Sequence, residues 1–124
     1  MTAPKGPDVL CTTITSTRRN NVKFMNVKVQ VSDSLRMQHA DDDGAMFPSG
    51  RQSLKSVDIY VNCHPYAPNC RPTVRKVLPN GTGRTATASL EFRAPTGRSN
   101  NVMYIRATDS SRTTGPITAR SFSA

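Results

Sequence analysis

The chain has 124 residues, only 35% of them hydrophobic, no Trp, and a formal net charge of +9 from 17 Lys and Arg against 8 Asp and Glu. This length suits one domain, residues 1–124, with a thin core, and no apolar run approaches the ~18 residues that a membrane-spanning helix needs. Met1 to Pro7 lack the apolar segment of a secretory signal, which predicts synthesis in a cytoplasm. The charge is uneven. Residues 1–70 carry 8 basic and 6 acidic side chains, residues 71–124 carry 9 and 2, and 12 of the 17 cations are Arg. Such a field does nothing for the fold, and it points to a polyanionic partner. Arginine favours planar, two-pronged contact with phosphate.

Residues 1–8 read as a flexible N-terminal segment. Residues 9–17 are Thr-rich and β-branched, a strand composition. Asn20-Asn21-Val22 reads as a turn, since Asn tolerates left-handed backbone, and Asn100-Asn101-Val102 reads as the same turn reused. Residues 22–31 alternate with period two, Met25, Val27, Val29 and Val31 opposing Phe24, Asn26, Lys28 and Gln30. Residues 38–50, with Asp41, Asp42 and Asp43, read as an exposed acidic loop. Residues 54–62 alternate again, with Val57, Ile59 and Val61 opposite Asp58, Tyr60 and Asn62. A Pro-rich loop from Cys63 to Cys70 leads to a short basic strand at 73–78, and Pro79 to Gly83 reads as a hairpin turn through Asn80-Gly81. Residues 84–93, 101–107 and 117–122 complete about seven strands. The predicted fold is mainly β, an antiparallel meander with little or no helix. A small β-sandwich or jelly-roll-like barrel is the alternative.

No catalytic or cofactor signature emerges. Cys63, His64 and Cys70 with His39 or Cys11 offer one ligand pair at a spacing unlike structural zinc. A Cys–His nucleophile lacks an orienting group, and Asp41-Asp42-Asp43-Gly44 meets Gln52 where a calcium loop needs Glu. The reading is therefore no enzyme, no metal, no cofactor and no small-molecule substrate. The basic side chains are more informative. Lys28, Arg75, Lys76, Arg84, Arg93, Arg106 and Arg120 are spread along strands and loops, a pattern suited to phosphate contact with base stacking. Pro65 and Pro68 stiffen the Cys63–Cys70 loop. That stiffness hinders self-closure and predicts intersubunit disulfides through Cys63 and Cys70.

The unit Val57-Asp58-Ile59-Tyr60-Val61-Asn62, then Cys63 to Cys70, then Arg71-Pro72-Thr73-Val74-Arg75-Lys76, then Ala88-Ser89-Leu90-Glu91-Phe92 resembles coat proteins of single-stranded RNA bacteriophages. The resemblance covers residues 57–92. Those coats end in two helices, whereas Thr96 to Ala124 carries strand patterning. The resemblance implies a polar sheet face turned toward packaged RNA, with Lys28, Gln30, Tyr60, Asn62, Thr87, Ser89 and Glu91 on it, joined by the basic Arg75 and Lys76. It also implies a cysteine loop at symmetry axes between copies. The function expected is a self-assembling virion coat subunit, at least a homodimer, that contacts RNA and no membrane. The alternatives are a capsid-decorating subunit and a cytosolic nucleic-acid-binding β-barrel.

Overall fold

The computed structural model describes residues 6–33, 54–79 and 85–123. The acidic loop at 38–50, His39, Arg84 and the Asn80-Gly81 hairpin lie outside the described residues. Seven antiparallel strands form where the alternation places them: β1 (Asp8–Arg19), β2 (Val22–Ser32), β3 (Leu54–Val61), β4 (Val74–Val77), β5 (Thr85–Arg93), β6 (Asn100–Asp109) and β7 (Thr118–Ser123). They divide into two open sheets, ordered β1-β2-β5 and β4-β3-β6-β7. The sandwich alternative is therefore the form realised, and neither sheet closes into a barrel. Among the described residues there is no helix.

The division follows from the alternation. Each strand has one apolar face, and a lone sheet would leave that face wet. Met25, Val27, Val29 and Val31 of β2, with Ala88, Leu90 and Phe92 of β5, meet Val57 and Ile59 of β3 and Met103, Ile105 and Ala107 of β6 in one core. Burying each large aliphatic side chain is worth about 1.5–3 kcal/mol. Phe92 and Phe122 close one end of this core edge to face, with centroids 5.8 Å apart.

Local turn chemistry sets the registers. Arg19 pairs with Val22 across a two-residue connection. Asn20 and Asn21 both take left-handed backbone, φ 51° and 66°, the combination that lets a tight hairpin follow the strand twist. The expected second Asn-Asn turn does not form. Asn100 and Asn101 already belong to β6, and the chain turns instead at Gly97, φ 86°. Asn101 is buried, because its amide bridges two segments and does not bend its own. At the far end of the molecule Gly6 and Pro7 are buried, while residues 1–5 of the N-terminal segment lie outside the described residues. They cross Thr114 and Gly115 so closely that a Cβ on Gly6 or Gly115 would overlap the facing backbone.

Candidate nucleic-acid interface

The two faces that remain outside the sandwich differ in character. On the first sheet, Gln30 pairs with Thr87, Lys28 with Ser89 and Asn26 with Glu91, while Thr13 and Thr15 of β1 extend the same rows. This face is a ladder of hydroxyls and amides. Arg19 stacks over Phe24 at 4.1 Å and donates to both carboxylate oxygens of Glu91, at 2.8 and 3.3 Å. Glu91 is thereby occupied as a partner of Arg19.

The outer face of the second sheet gathers aromatic and cationic groups. Its rows run Arg75–Asp58–Arg106 and Tyr60–Tyr104 across β4, β3 and β6. Asp58 is buried, and both its oxygens accept from Arg75, Oδ1 from Nε at 2.6 Å and Oδ2 from Nη2 at 3.2 Å. The hydrogen bond that Arg75 donates to this carboxylate, followed by the carboxylate's charge, raises the Arg75 pKa above its ordinary value. With Asp58 so engaged, Arg106 forms no ion pair among the described residues. Its Nη2 donates to the Tyr60 hydroxyl at 3.1 Å, while its buried Nε has no hydrogen-bond partner. Its guanidinium lies 5.6 Å from the Tyr60 ring centroid and 5.8 Å from that of Tyr66, within cation–π range.

The Cys63–Cys70 loop completes this face, and it corrects an expectation. The two cysteines are joined within the chain, with Cα atoms 5.9 Å apart, inside the span a disulfide requires. The prolines assist closure where stiffness was expected to prevent it. Ala67 N–H donates to the His64 carbonyl and Cys70 N–H to the Ala67 carbonyl, so Pro65 and Pro68 each occupy the second position of a β-turn, where a fixed φ is favourable. Asn69 supplies the left-handed third position of the second turn, φ 67°. The folded loop sets His64 5.0 Å from Tyr104 and 5.4 Å from Tyr66. Tyr66 is 74% exposed. The Tyr66 N–H donates to Nδ1 of His64 at 3.2 Å, which orients the imidazole.

The nine residues expected to share one RNA-facing surface are thus distributed. Lys28, Gln30, Thr87, Ser89 and Glu91 lie on the outer face of the first sheet, while Tyr60 and Arg75 lie on the opposite side of the molecule. Lys76 pairs with Val57, so it projects from the edge strand on the side away from Arg75. The Asn62 side chain is already engaged, its Nδ2 donating to Asn101 at 2.9 Å and its Oδ1 accepting from Val102 N–H at 3.0 Å. Asn62 is therefore a clip between the start of the cysteine loop and β6. His64, Tyr66, Tyr104 and Arg106 were not singled out as a group from sequence. Tyr104 and Arg106 share the outward parity of β6, while His64 and Tyr66 lie in the cysteine loop, and their meeting depends on the β3–β6 pairing.

The chain matches no protein-family profile, no curated protein sequence and no solved structure. Among the described residues no group of three or more His, Cys, Asp or Glu is placed to hold a metal ion. No helix there is long and apolar enough to cross a membrane.

Proposed function

We propose that this chain is a self-assembling structural subunit of an RNA-containing virion, and that it contacts RNA through the outer face of its second sheet. One observation carries the RNA contact: all three tyrosines, together with His64, meet beside Arg106, which forms no ion pair among the described residues. Exposed rings accept any base by stacking, at about 1–3 kcal/mol per base, and an adjacent guanidinium suits the phosphate between bases. Tyr60, which is buried, serves as the underlayer that fixes Arg106, while Tyr66, His64 and Tyr104 offer ring surface.

Two features support assembly. Among the described residues each sheet ends in open edges, β1 and β5 in one and β4 and β7 in the other, and unpaired edges invite pairing with another copy. Leu10 on β1 and Val77 on β4 are 58% and 62% exposed, so both edge strands carry an aliphatic side chain in solvent. The open sheets disfavour the barrel alternative. A capsid-decorating role shares the assembly argument and lacks a reason for the aromatic–arginine face.

Size-exclusion chromatography of the recombinant chain with absorbance at 260 and 280 nm tests the proposal. The chain has no Trp and three Tyr, so co-purifying RNA dominates both wavelengths. The expected result is an assembly larger than a monomer that carries nuclease-sensitive 260 nm absorbance. A monomer free of nucleic acid that also fails to bind added RNA at low salt overturns the reading.

A further inference from the structure

A second feature lies at the end of the sandwich where the β1–β2 turn and the β5–β6 loop come side by side. Arg18, Lys23, Arg93 and Arg98 line a cleft of about 300 Å³ there, and among the described residues no acidic one lines it. Arg18 and Lys23 are direct cross-strand partners on either side of Asn20-Asn21. They sit two residues beyond Ser16 and Met25 on the side of β1 and β2 that faces the other sheet, where the strands run past the core. The framework is pinned: Ala94 N–H donates to the Lys23 carbonyl at 2.9 Å, and Nδ2 of buried Asn101 donates to the Arg98 carbonyl at 3.4 Å.

Among the described residues none of the four cations has an ion-pair partner. The ion pairs among the described residues are Arg19–Glu91 and Arg75–Asp58. Asp8, Asp33 and Asp109 stand at the opposite ends of β1, β2 and β6. Arg93 pairs with Phe24 and so projects toward the outer face of its sheet. The three like charges of Arg18, Lys23 and Arg98 around one opening repel one another and raise the local concentration of anions, which relieve that repulsion on binding. The cleft also connects with the aromatic face. Arg98 lines, with Asn62, Val102 and Ser121, the neighbouring depression. From Val102 the same side of β6 leads on to Tyr104, about 7 Å further along the strand.

We infer that Arg18, Lys23 and Arg98 bind the phosphodiester backbone of a single RNA strand whose bases stack on Tyr66, His64 and Tyr104. This rests on the RNA-contact reading above and adds to it a separate phosphate site and a path. Charge and stacking have separable signatures. On single strands each phosphate contact contributes about −0.7 to the slope of log K against log salt, while an uncharged ring contributes affinity without slope.

The test is fluorescence anisotropy with a labelled oligouridylate of about 12 nucleotides, a length within the range of small binding folds, across a salt series. The variant R18Q/R98Q should shallow the slope by about 1.4, two contacts' worth. Tyr66→Ala, on an exposed ring, should weaken binding about tenfold at every salt with the slope unchanged. Lys55→Gln, at the opposite end of β3, should alter neither. If R18Q/R98Q keeps the parent slope while Tyr66→Ala still weakens binding, the cleft is not a phosphate site and the RNA reading survives. If the parent chain binds no oligonucleotide, the RNA reading falls together with the path. A tripolyphosphate titration followed at the Gly97 amide by NMR then decides the cleft alone. Shifts that disappear in R18Q/R98Q retain it as an anion site, and no shifts overturn it.

Discussion

Opening the Cys63–Cys70 bridge should destabilise the chain and also loosen one wall of the aromatic face. The bridge closes a loop of 8 residues, 63–70, which contains His64 and Tyr66. On the chain-entropy account, releasing a loop of that length returns to the unfolded chain about 8 cal/mol/K, or about 2.5 kcal/mol at 25 °C. Against an m-value of roughly 1.5 kcal/mol/M in urea, the unfolding midpoint should fall by about 1.7 M. Cys11 is a free thiol exposed on edge strand β1, so the comparison belongs in a Cys11→Ser background, where no intermolecular bridge through Cys11 confuses it. Urea unfolding of that variant is measured oxidised and reduced, and again with Cys63→Ser and Cys70→Ser added. All three opened forms should lose the same increment. On a non-reducing gel the oxidised Cys11→Ser protein should run as a monomer with no free thiol. A ladder of multimers that collapses on reduction, or equal midpoints for the open and closed forms, refutes the internal closure.

Two further outcomes follow from single contacts. Removing Arg75 with Arg75→Met leaves the buried Asp58 carboxylate unpaired and should cost about 1–2 kcal/mol, a figure already reduced for the exposure of the guanidinium. Because the folded pKa of Arg75 lies above its unfolded value, its contribution is fully present below the unfolded pKa and is lost only as pH rises through the folded one. The difference between parent and variant should therefore be equal at about pH 7 and pH 10, and a shrinking difference in urea melts at the higher pH contradicts it. At the hairpin, Asn21→Gly should be neutral or stabilising and Asn21→Val should destabilise by about 1–2 kcal/mol, since φ 66° suits Gly and crowds a β-branched side chain. Thermal melts that rank the two in the other order would show that this turn does not set the β1–β2 register.

What the sequence determined by itself is the strand inventory. Met25 to Val31, Val57 to Val61 and Ala86 to Phe92 alternate with period two, and that period is a local property of the extended backbone, so strand positions and inward faces could be read directly. The Asn20-Asn21 turn was legible for the same reason, because left-handed tolerance belongs to the residue. The net charge and its concentration after residue 70 were legible too. Only the tertiary structure decided which strands share a sheet. Hydrogen-bond pairing between Tyr60 and Tyr104, 44 positions apart in the chain, leaves no trace in either segment alone, yet it builds the aromatic face. The same pairing choice sent Lys28 and Tyr60, both outward in their own strands, to opposite sides of the molecule. Loop closure at Cys63–Cys70 likewise depended on how two successive proline turns add their bends, and the cleft of Arg18, Lys23, Arg93 and Arg98 on two loops meeting at one end. Faces follow from local periodicity, but a site needs several faces or loops brought together, and that is fixed by long-range pairing under the demand to bury a shared core.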